Sequence, residues 1–279
     1  MKTYNTINVS FLADDDCALE FANMVQALIP KDAKDAQVHS SAKPALNSLE
    51  IHYDEHPESP REWDNVGTMR CAHGRYSLGD EKGRGDMKED MIELLGEHCD
   101  IYLDDESEIV EEKFNEFFIY LPLYLYDHSG ITMSTGPFSC PWDSGQVGFI
   151  YVSRERAEKE YGVKNADFPI EREVMLHDLG LRGPNRPVKK TFATLDELAT
   201  YYLKGEVETY DQFLRGEVYG YVLLDYAGEE LDSCWGFYGS DHRDSGILDH
   251  IKDQQFERIS LHYPGGTSEE ELTHEELFG

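Results

Sequence analysis

Apolar residues are concentrated between residues 117 and 153, where three runs separated by polar turns predict a three-stranded unit. The first run, FFIYLPLYLY, is rich in aromatic and aliphatic residues with high strand propensity. It ends at the polar turn sequence of residues 127–130, and a second strand is predicted at residues 131–134. A loop rich in glycine, proline and serine leads to a third strand at residues 147–152. The spacing predicts a hairpin that the third strand completes.

Short helices and strands are predicted on both sides of this unit. Ser153 precedes a helical sequence that Gly162 ends, and residues 194–197 form a capping box. The predicted helices are residues 19–28, 87–95, 154–161, 195–203, 206–214 and 246–255, with an acidic terminal helix that begins at Ser268. The other predicted strands are residues 6–12, 48–53, 217–225, 231–238 and 256–263, whereas residues 31–43 are predicted to form a loop and residues 163–190 irregular structure.

These elements predict an α+β fold built on mostly antiparallel β-hairpins with short flanking helices. The length of 279 residues is enough for one large domain or two small ones. We expect a small N-terminal β-α-β segment at residues 1–50, a main α+β domain at residues 51–265, and an acidic C-terminal helix or tail at residues 266–279.

The balance of charge narrows the class of partner. The chain has 56 acidic and 25 basic residues, a formal net charge of -31. Such a chain repels phosphates, so nucleic acids and anionic membranes are unfavourable direct ligands. Because duplex DNA carries about one charge per 1.7 Å, a net charge of -31 equals the phosphates of roughly 15 base pairs. The charge therefore suits a mimic of nucleic acid that binds a basic groove, and it equally suits a surface that serves only solubility.

Cysteine use and hydropathy indicate the compartment. The five cysteines are widely spaced and include no CxxC pair, which favours free thiols in a reducing environment. The N-terminal sequence lacks the apolar core of a signal peptide, and no run of about 18 apolar residues occurs. We therefore expect a cytoplasmic protein. Phosphate-loop, dinucleotide-binding, GxSxG and HExxH motifs are absent, so we expect no cofactor.

Cys140 is the candidate nucleophile, because His128 and Asp143 lie close to it in the sequence. A thiol, an imidazole and a carboxylate are the groups of a cysteine hydrolase, provided that they meet in space. Asp64 and His73 lie in a second polar loop and are candidates for the same cluster. The acidic surroundings disfavour a thiolate, so a structural cysteine is the simpler interpretation.

Carboxylates at the ends of loops and strands are candidates for binding a hard cation such as Mg²⁺ or Ca²⁺. They are Asp64, Asp80, Asp127 and Asp143. In a chain with 56 acidic residues such positions arise by chance, and no loop has the alternating ligand spacing of an EF-hand. We expect no bound metal.

Two blocks of the sequence carry a resemblance to known proteins. They are SPREWDNVGTMRCAHGRYSLGD at residues 59–80, and LPLYLYDHSGITMSTGPFSCPWDSGQVGFIYVS at residues 121–153 with its later partner VETYDQFLRGEVYGYVLLD at residues 207–225. The chain resembles a group of uncharacterised proteins of bacteriophages and mobile elements over roughly residues 51–80 and 117–239. That group has no established activity, so the resemblance assigns no catalytic residues. It implies a phage-type protein in the cytoplasm of a bacterial host, where strongly acidic proteins without cofactors often inhibit restriction or CRISPR nucleases.

Charge and resemblance together predict an inhibitor of a host defence system that binds nucleic acid, an antirestriction or anti-CRISPR protein that mimics phosphates. Its expected partner is the basic groove of a DNA- or RNA-handling complex. The alternatives are a hydrolase that uses the cluster around Cys140, and a structural virion or assembly protein. The acidic composition favours the inhibitor, which needs no catalytic residues, over the hydrolase. The candidate partner-binding residues are Asp104, Asp105, Glu106, Glu108, Glu111, Glu112, Glu269, Glu270, Glu271, Glu275 and Glu276.

Overall fold

The computed structural model of the chain describes residues 6–12, 37–43, 47–96, 98–175, 186–225, 227–240, 245–251, 256–263 and 266–270. Contacts between Cα atoms divide the chain into two compact units. The smaller unit comprises Met1–Tyr53, Gly220–Trp235 and Leu248–Gly279, and the larger unit comprises Asp54–Tyr219 and Gly236–Ile247. Helices and several mostly antiparallel sheets are both present, which confirms the predicted α+β fold.

The described elements have the following bounds. The strands are β1 (Thr6–Leu12), β2 (Gln37–Lys43), β3 (Asn47–Tyr53), β4 (Thr68–Cys71), β5 (Glu81–Lys82), β6 (Phe118–Asp127), β7 (Ile131–Ser134), β8 (Ser144–Ser153), β9 (Ile170–Met175), β10 (Pro187–Phe192), β11 (Val218–Leu224), β12 (Glu230–Tyr238), β13 (Phe256–Tyr263) and β14 (Gly266–Glu270). The helices are α1 (Met87–Leu95), α2 (Ser107–Phe117), α3 (Arg154–Tyr161), α4 (Leu195–Leu214) and α5 (Ile247–Ile251), with 3₁₀ turns at Pro60–Glu62 and Asn165–Asp167.

A five-stranded sheet lies in the larger unit, with the strand order β5-β4-β8-β6-β7. Its neighbouring strands are antiparallel except for the short β4–β5 pair. The three strands predicted between residues 117 and 153 are β6, β7 and β8, and β6 pairs with both of the others. The prediction for this stretch is therefore confirmed.

Helices cover both faces of this sheet, and the alternation of side chains along β8 shows how. Ile150 and Val152 belong to a core that includes the buried side of α4, whereas Phe149 and Tyr151 belong to a second core with α1 and α2. Because both faces of the sheet are buried, β6 and β8 appear in the sequence as nearly continuous apolar runs.

Capping residues set the ends of the helices. Ser153 accepts a hydrogen bond from the N–H of Arg156 at the start of α3, and Gly162 ends that helix with a left-handed φ of 62°. Asp86 caps α1, and Thr194 caps α4 by accepting the N–H of Glu197. The helices predicted at residues 87–95 and 154–161 are confirmed.

Strands β9 and β10 form an antiparallel pair, so the irregular structure predicted for residues 163–190 is wrong over these two strands. Val174 and Phe192 are buried and supply the apolar side of the pair. Charged residues such as Glu173 and Lys189, which are register partners, occupy the exposed positions between them. Because both strands contain many charged residues, the alternation of apolar and polar residues is weak in the sequence. The strands could be recognised only from their packing in the tertiary core.

Helix α4 is continuous over 20 residues, so the predicted break at Gly205 is wrong. Leu203 and Val207, on either side of the glycine, are buried in the same core. A glycine inside a helix costs about 1 kcal/mol relative to alanine, which is too little to end a helix that packs over its whole length. Tertiary packing therefore overrides the local signal.

Replacing Gly205 with alanine is expected to raise the free energy of unfolding by about 1 kcal/mol. A Cβ at this position would meet no heavy atom within 4 Å outside the backbone of its own helix, so the gain in helix propensity has no steric cost. Urea denaturation measures the change. Gly67→Ala is the matched control, because its Cβ would lie 2.4 Å from Leu203 Cδ2 and should destabilise the fold. A loss of stability in Gly205→Ala would contradict the prediction.

Arg61 joins the first 3₁₀ turn to α4 through a largely buried ionic network. Its guanidinium donates to both carboxylate oxygens of Asp80 at 3.0 and 2.6 Å, to Glu206 at 2.9 Å and to the carbonyl of Gly67 at 2.7 Å. The second carboxylate oxygen of Glu206 accepts the N–H groups of Val66 and Gly67 at 3.0 and 2.9 Å. The network therefore fixes the segment before β4 on one side of α4.

The borders of the five-stranded sheet are short. Strand β5 has two residues and β7 has four. On the outer side of β7, the N–H of Met133 donates to the carboxylate of Asp211 on α4 at 2.7 Å. Burial raises the pKa of Asp211 above its usual value, while this N–H and Arg215 oppose the rise.

The smaller unit contains a second five-stranded sheet, with the order β12-β11-β3-β13-β14, and a parallel pair of β1 and β2. The turn between β11 and β12 is held by Asp225, whose side chain accepts the N–H groups of Ala227 and Glu229 at 2.8 Å each. Gly228 in that turn has a φ of 84°. The predicted hairpin and the strands predicted at residues 6–12, 48–53 and 256–263 are confirmed.

Two predictions at the ends of the chain are corrected. Strand β2 lies within the predicted loop of residues 31–43, since its alternate residues Val38, Ser40 and Ala42 are too small to give a clear strand pattern. Strand β14 replaces the start of the terminal helix predicted from Ser268, because residues 266–270 pair with β13. The predicted helix at residues 19–28 lies outside the described residues, and α5 falls within the predicted helix at residues 246–255.

The two compact units do not follow the expected boundaries after residues 50 and 265. Strand β3 pairs in parallel with β13, which places segments from both ends of the chain in one sheet. The hairpin of β11 and β12 completes that sheet from the middle of the expected main domain. Pairing between strands far apart in sequence leaves no mark in composition, so the sequence contains no signal for this division.

Candidate functional site

Helices α1 and α2 carry a strongly acidic surface. Residues 81–117 contain fourteen acidic and four basic residues. Helix α2 buries Val110 and Phe114 against the second core of the sheet and turns its other side to solvent. The predicted acidic residues of α2 lie on that exposed side and can therefore be reached by a partner.

We define the acidic face as Glu108, Glu111, Glu112 and Glu116 of α2, all of which are exposed. A rise of 1.5 Å per residue spreads the four carboxylates over about 12 Å, or one carboxylate per roughly 3–4 Å. One strand of a DNA duplex carries one charge per about 3.4 Å. Lys113 offsets part of the charge through an ion pair with Glu116 at 2.7 Å. The linear density of the acidic face is thus similar to that of a single strand.

The turn before the acidic face combines acidic with exposed apolar residues. Asp104 and Glu106 are exposed, and the carboxylate of Asp105 accepts the N–H of Tyr102 at 2.7 Å. Tyr102 and Leu103 are 62% and 63% exposed. Exposed apolar residues beside charges are typical of protein interfaces. This pair was not predicted from the sequence, although an apolar dipeptide inside an acidic run is a signal that could have indicated it.

The second predicted acidic patch is only partly within the described residues. Glu269 and Glu270 lie in β14, opposite Ser260 and Ile259 of β13. The remaining predicted residues of this patch, Glu271, Glu275 and Glu276, lie outside the described residues. The structure therefore describes one of the two predicted partner-binding surfaces.

Cys140, His128 and Asp143 meet in space, as the hydrolase hypothesis requires. Oδ2 of Asp143 lies 3.6 Å from Sγ of Cys140 and 3.5 Å from Nδ1 of His128. The carboxylate contacts both groups, but the described contacts include no hydrogen bond between the thiol and the imidazole, which a cysteine nucleophile needs. A neighbouring carboxylate also opposes the negative charge of a thiolate. These contacts do not activate a nucleophile.

Asp64 and His73, the other two residues of the proposed cluster, have different surroundings. Asp64 is exposed. The ring of His73 stacks on Tyr76 at 5.0 Å, and the hydroxyl of Tyr76 hydrogen-bonds to Asp127 at 3.2 Å. None of the contacts described for His73 reaches Cys140. His73 therefore belongs to a structural contact of its loop.

Neither the buried thiol of Cys71 nor a metal-binding cluster supplies a reactive centre among the described residues. Burial raises the pKa of the Cys71 thiol to about 12, so this thiol stays protonated at neutral pH. Across the part of the chain that the structure describes, no group of three or more His, Cys, Asp or Glu side chains is placed to hold a metal ion. Trp142, beside the Cys140 loop, is 92% exposed, so it packs in no core.

The chain matches no model of a protein family, no curated protein and no solved structure. None of the helices among the described residues has the length and the apolar sequence that a membrane span requires.

Proposed function

We propose that the protein is an acidic inhibitor of a nucleic-acid-binding defence system of a bacterial host, acting by antirestriction or anti-CRISPR mimicry of phosphates. The acidic face of α2 would occupy the Lys- and Arg-rich groove of the target, in place of a strand of DNA or RNA. The observation that carries the proposal is the row of exposed carboxylates on α2, whose linear density is similar to that of one strand.

The exposed apolar pair Tyr102 and Leu103 gives the proposed interface a component that salt does not screen. Charge complementarity accelerates association and fails at high ionic strength, whereas burial of apolar surface slows dissociation. An inhibitor that competes with nucleic acid needs both charge complementarity and apolar burial, since the natural ligand binds the same basic residues. We therefore infer that the acidic face and this pair act as one surface.

The hydrolase alternative has weaker support from geometry. The carboxylate of Asp143 contacts both Cys140 and His128, but no hydrogen bond joins the thiol to the imidazole among the described contacts. The side chains of His128 and Asp143 are 63% and 41% exposed to water. The loop does not supply the dry, preorganised surroundings of most nucleophilic sites. A variant of this loop therefore serves as a control in the test of the inhibitor hypothesis.

Cleavage assays with two purified probes test the proposal: an ATP-dependent restriction endonuclease and an RNA-guided DNA nuclease, each with its cognate plasmid. We expect the protein to inhibit at least one of them at 50 mM salt and to lose potency at least about tenfold at 200 mM, because this change roughly halves the screening length. Inhibition that is independent of salt, or no inhibition of either probe, would contradict the proposal.

Charge reversal of the acidic face is expected to weaken inhibition about 100-fold. The variant is Glu108→Lys, Glu111→Lys, Glu112→Lys and Glu116→Lys together, and the estimate assumes about 0.7 kcal/mol for each exposed charge. The control reverses Glu155, Glu160, Glu171 and Glu173 on α3 and β9, which gives the same net charge away from the acidic face. Its potency should remain within about threefold of the wild type. The double variant Cys140→Ala with His128→Ala should inhibit normally, and its failure would favour the hydrolase.

A further inference from the structure

A groove of about 950 Å³ crosses the exposed side of α4 in the larger unit. The 3₁₀ turn and the residues after it, including Trp63, line one wall, and Tyr238 and Gly239 lie on the other. This volume is at the upper end of the range found for small-molecule sites. Neither the acidic face nor the Cys140 loop contributes to the groove, so it is a separate feature of the molecule.

Two aromatic side chains are held in the groove while remaining exposed. Trp63 is 43% exposed and makes an edge contact with Tyr238, with ring centroids 5.1 Å apart. Tyr202 is 37% exposed and stacks on Tyr161 at 4.9 Å. Rings fixed by their neighbours lose little conformational entropy when a ligand stacks on them. The groove therefore offers two preorganised surfaces for a flat ligand.

Gly205 keeps the floor of the groove open. It lies inside α4, where glycine costs about 1 kcal/mol in helix propensity. A Cβ here would meet no heavy atom within 4 Å outside its own helix backbone, so packing does not require glycine. The missing side chain instead lets a ligand approach the helix backbone, a common use of glycine at binding sites. Glycine at this position lowers helix stability and is not required by packing, and its presence supports a role in binding.

Two donors in the groove favour hydrogen-bond acceptors in the ligand, and the groove is also lined by carboxylates that include Glu208. Glu206 is engaged by Arg61 at 2.9 Å, and Glu217 is engaged by Arg215 at 2.8 Å. The Lys204 ammonium has no ion-pair partner among the described residues. The indole N–H of Trp63 likewise has no hydrogen-bond acceptor there. A ligand that satisfies both donors presents carbonyl, ring-nitrogen or phosphate acceptors.

We propose that this groove binds a single nucleobase-bearing small molecule, a nucleoside or a nucleoside monophosphate. A nucleobase is flat enough to stack on Trp63 or Tyr202 and carries several acceptors. The net charge of -31 disfavours a polynucleotide, whose many phosphates would be repelled, but it tolerates a ligand with one phosphate beside Lys204. The inference does not depend on the proposed inhibitor function.

Calorimetric titration of the full chain with AMP, GMP, CMP and UMP, and with the four nucleosides, tests the proposal. We expect saturable binding of at least one compound with a Kd below about 1 mM. Trp63→Ala should weaken that binding about 5- to 150-fold, the usual effect of removing a stacking ring. Lys204→Ala should lower the affinity of the monophosphate and leave that of the nucleoside unchanged if the phosphate lies beside the ammonium.

Gly205→Phe is the decisive variant, because its ring would fill the floor of the groove. We expect loss of saturable binding with a thermal unfolding midpoint close to that of the wild type. Trp142→Ala is the matched control, since Trp142 is 92% exposed and does not line the groove. Absence of binding by all eight compounds would overturn the proposal. Unchanged affinity in both Trp63→Ala and Gly205→Phe, or tighter binding of choline or spermidine than of any nucleoside or nucleotide, would do the same.

Discussion

Replacing Arg61 with methionine is expected to lower the free energy of unfolding by about 3–5 kcal/mol. The side chain of Arg61 is only 5% exposed, and its loss leaves the carboxylates of Asp80 and Glu206 without their cation. Burial alone lowers the pKa of Arg61, but the hydrogen bonds that it donates to these carboxylates raise the pKa above its usual value, so the guanidinium is always charged. Urea denaturation followed by circular dichroism measures the loss.

Two companion variants make this result specific. Arg154→Met breaks a bidentate ion pair with Asp196 whose two side chains are 30% and 52% exposed, so it should cost less than about 1 kcal/mol. Neutralising the partners of Arg61 as well, with Asp80→Asn and Glu206→Gln, should recover part of the loss because no unpaired charge then remains buried. If Arg61→Met cost less than about 1 kcal/mol, as expected for Arg154→Met, the network would not be important for stability.

Replacing Phe114 with alanine should cost a similar 3–5 kcal/mol. Its side chain is fully buried under α2, with ring centroids of Phe118, Tyr120 and Phe149 at 4.6, 5.5 and 5.7 Å. The cavity would loosen α2, which carries the acidic face, so inhibition of the nuclease probes should weaken along with stability. Denaturation and cleavage assays on the same sample measure both effects.

Ile109→Ala is the control for the Phe114 variant. Ile109 lies on the same helix but is exposed, so its truncation should change the free energy of unfolding by less than about 0.5 kcal/mol. If Phe114→Ala weakened inhibition without destabilising the protein, Phe114 would contact the target, and the account of α2 as a packed support would be wrong.

Local signals in the sequence were enough for part of the fold. Ser153 and Gly162 bracket α3 because capping chemistry depends on a few adjacent residues. Strands β6 and β8 were predicted because burial on both faces makes them apolar throughout. Gly205 misled the prediction because a core that continues across it outweighs a propensity of about 1 kcal/mol. Strand β14 was predicted as a helix because Ser268 and the following acidic residues imitate a helix start.

For the candidate sites too, the features set by nearby residues could be predicted and those set by the tertiary fold could not. The carboxylates of α2 are visible as an acidic run, and the nearness of His128, Cys140 and Asp143 in the sequence anticipated their contact. The network of Arg61 and the groove beside it could not be predicted, since Arg61 and Glu206 are 145 positions apart. Only the fold places such residues together, and no pattern of composition or spacing marks them beforehand.

The short borders of the five-stranded sheet bear on how the protein behaves when it is concentrated. Strand addition between molecules needs a long, flat edge with unpaired amides, the template from which fibrils grow. Here one border has two residues, and the other has four with its Met133 amide already bonded to Asp211. Together with mutual repulsion between copies of charge -31, this leaves neither border of the five-stranded sheet suited to edge-to-edge polymerisation.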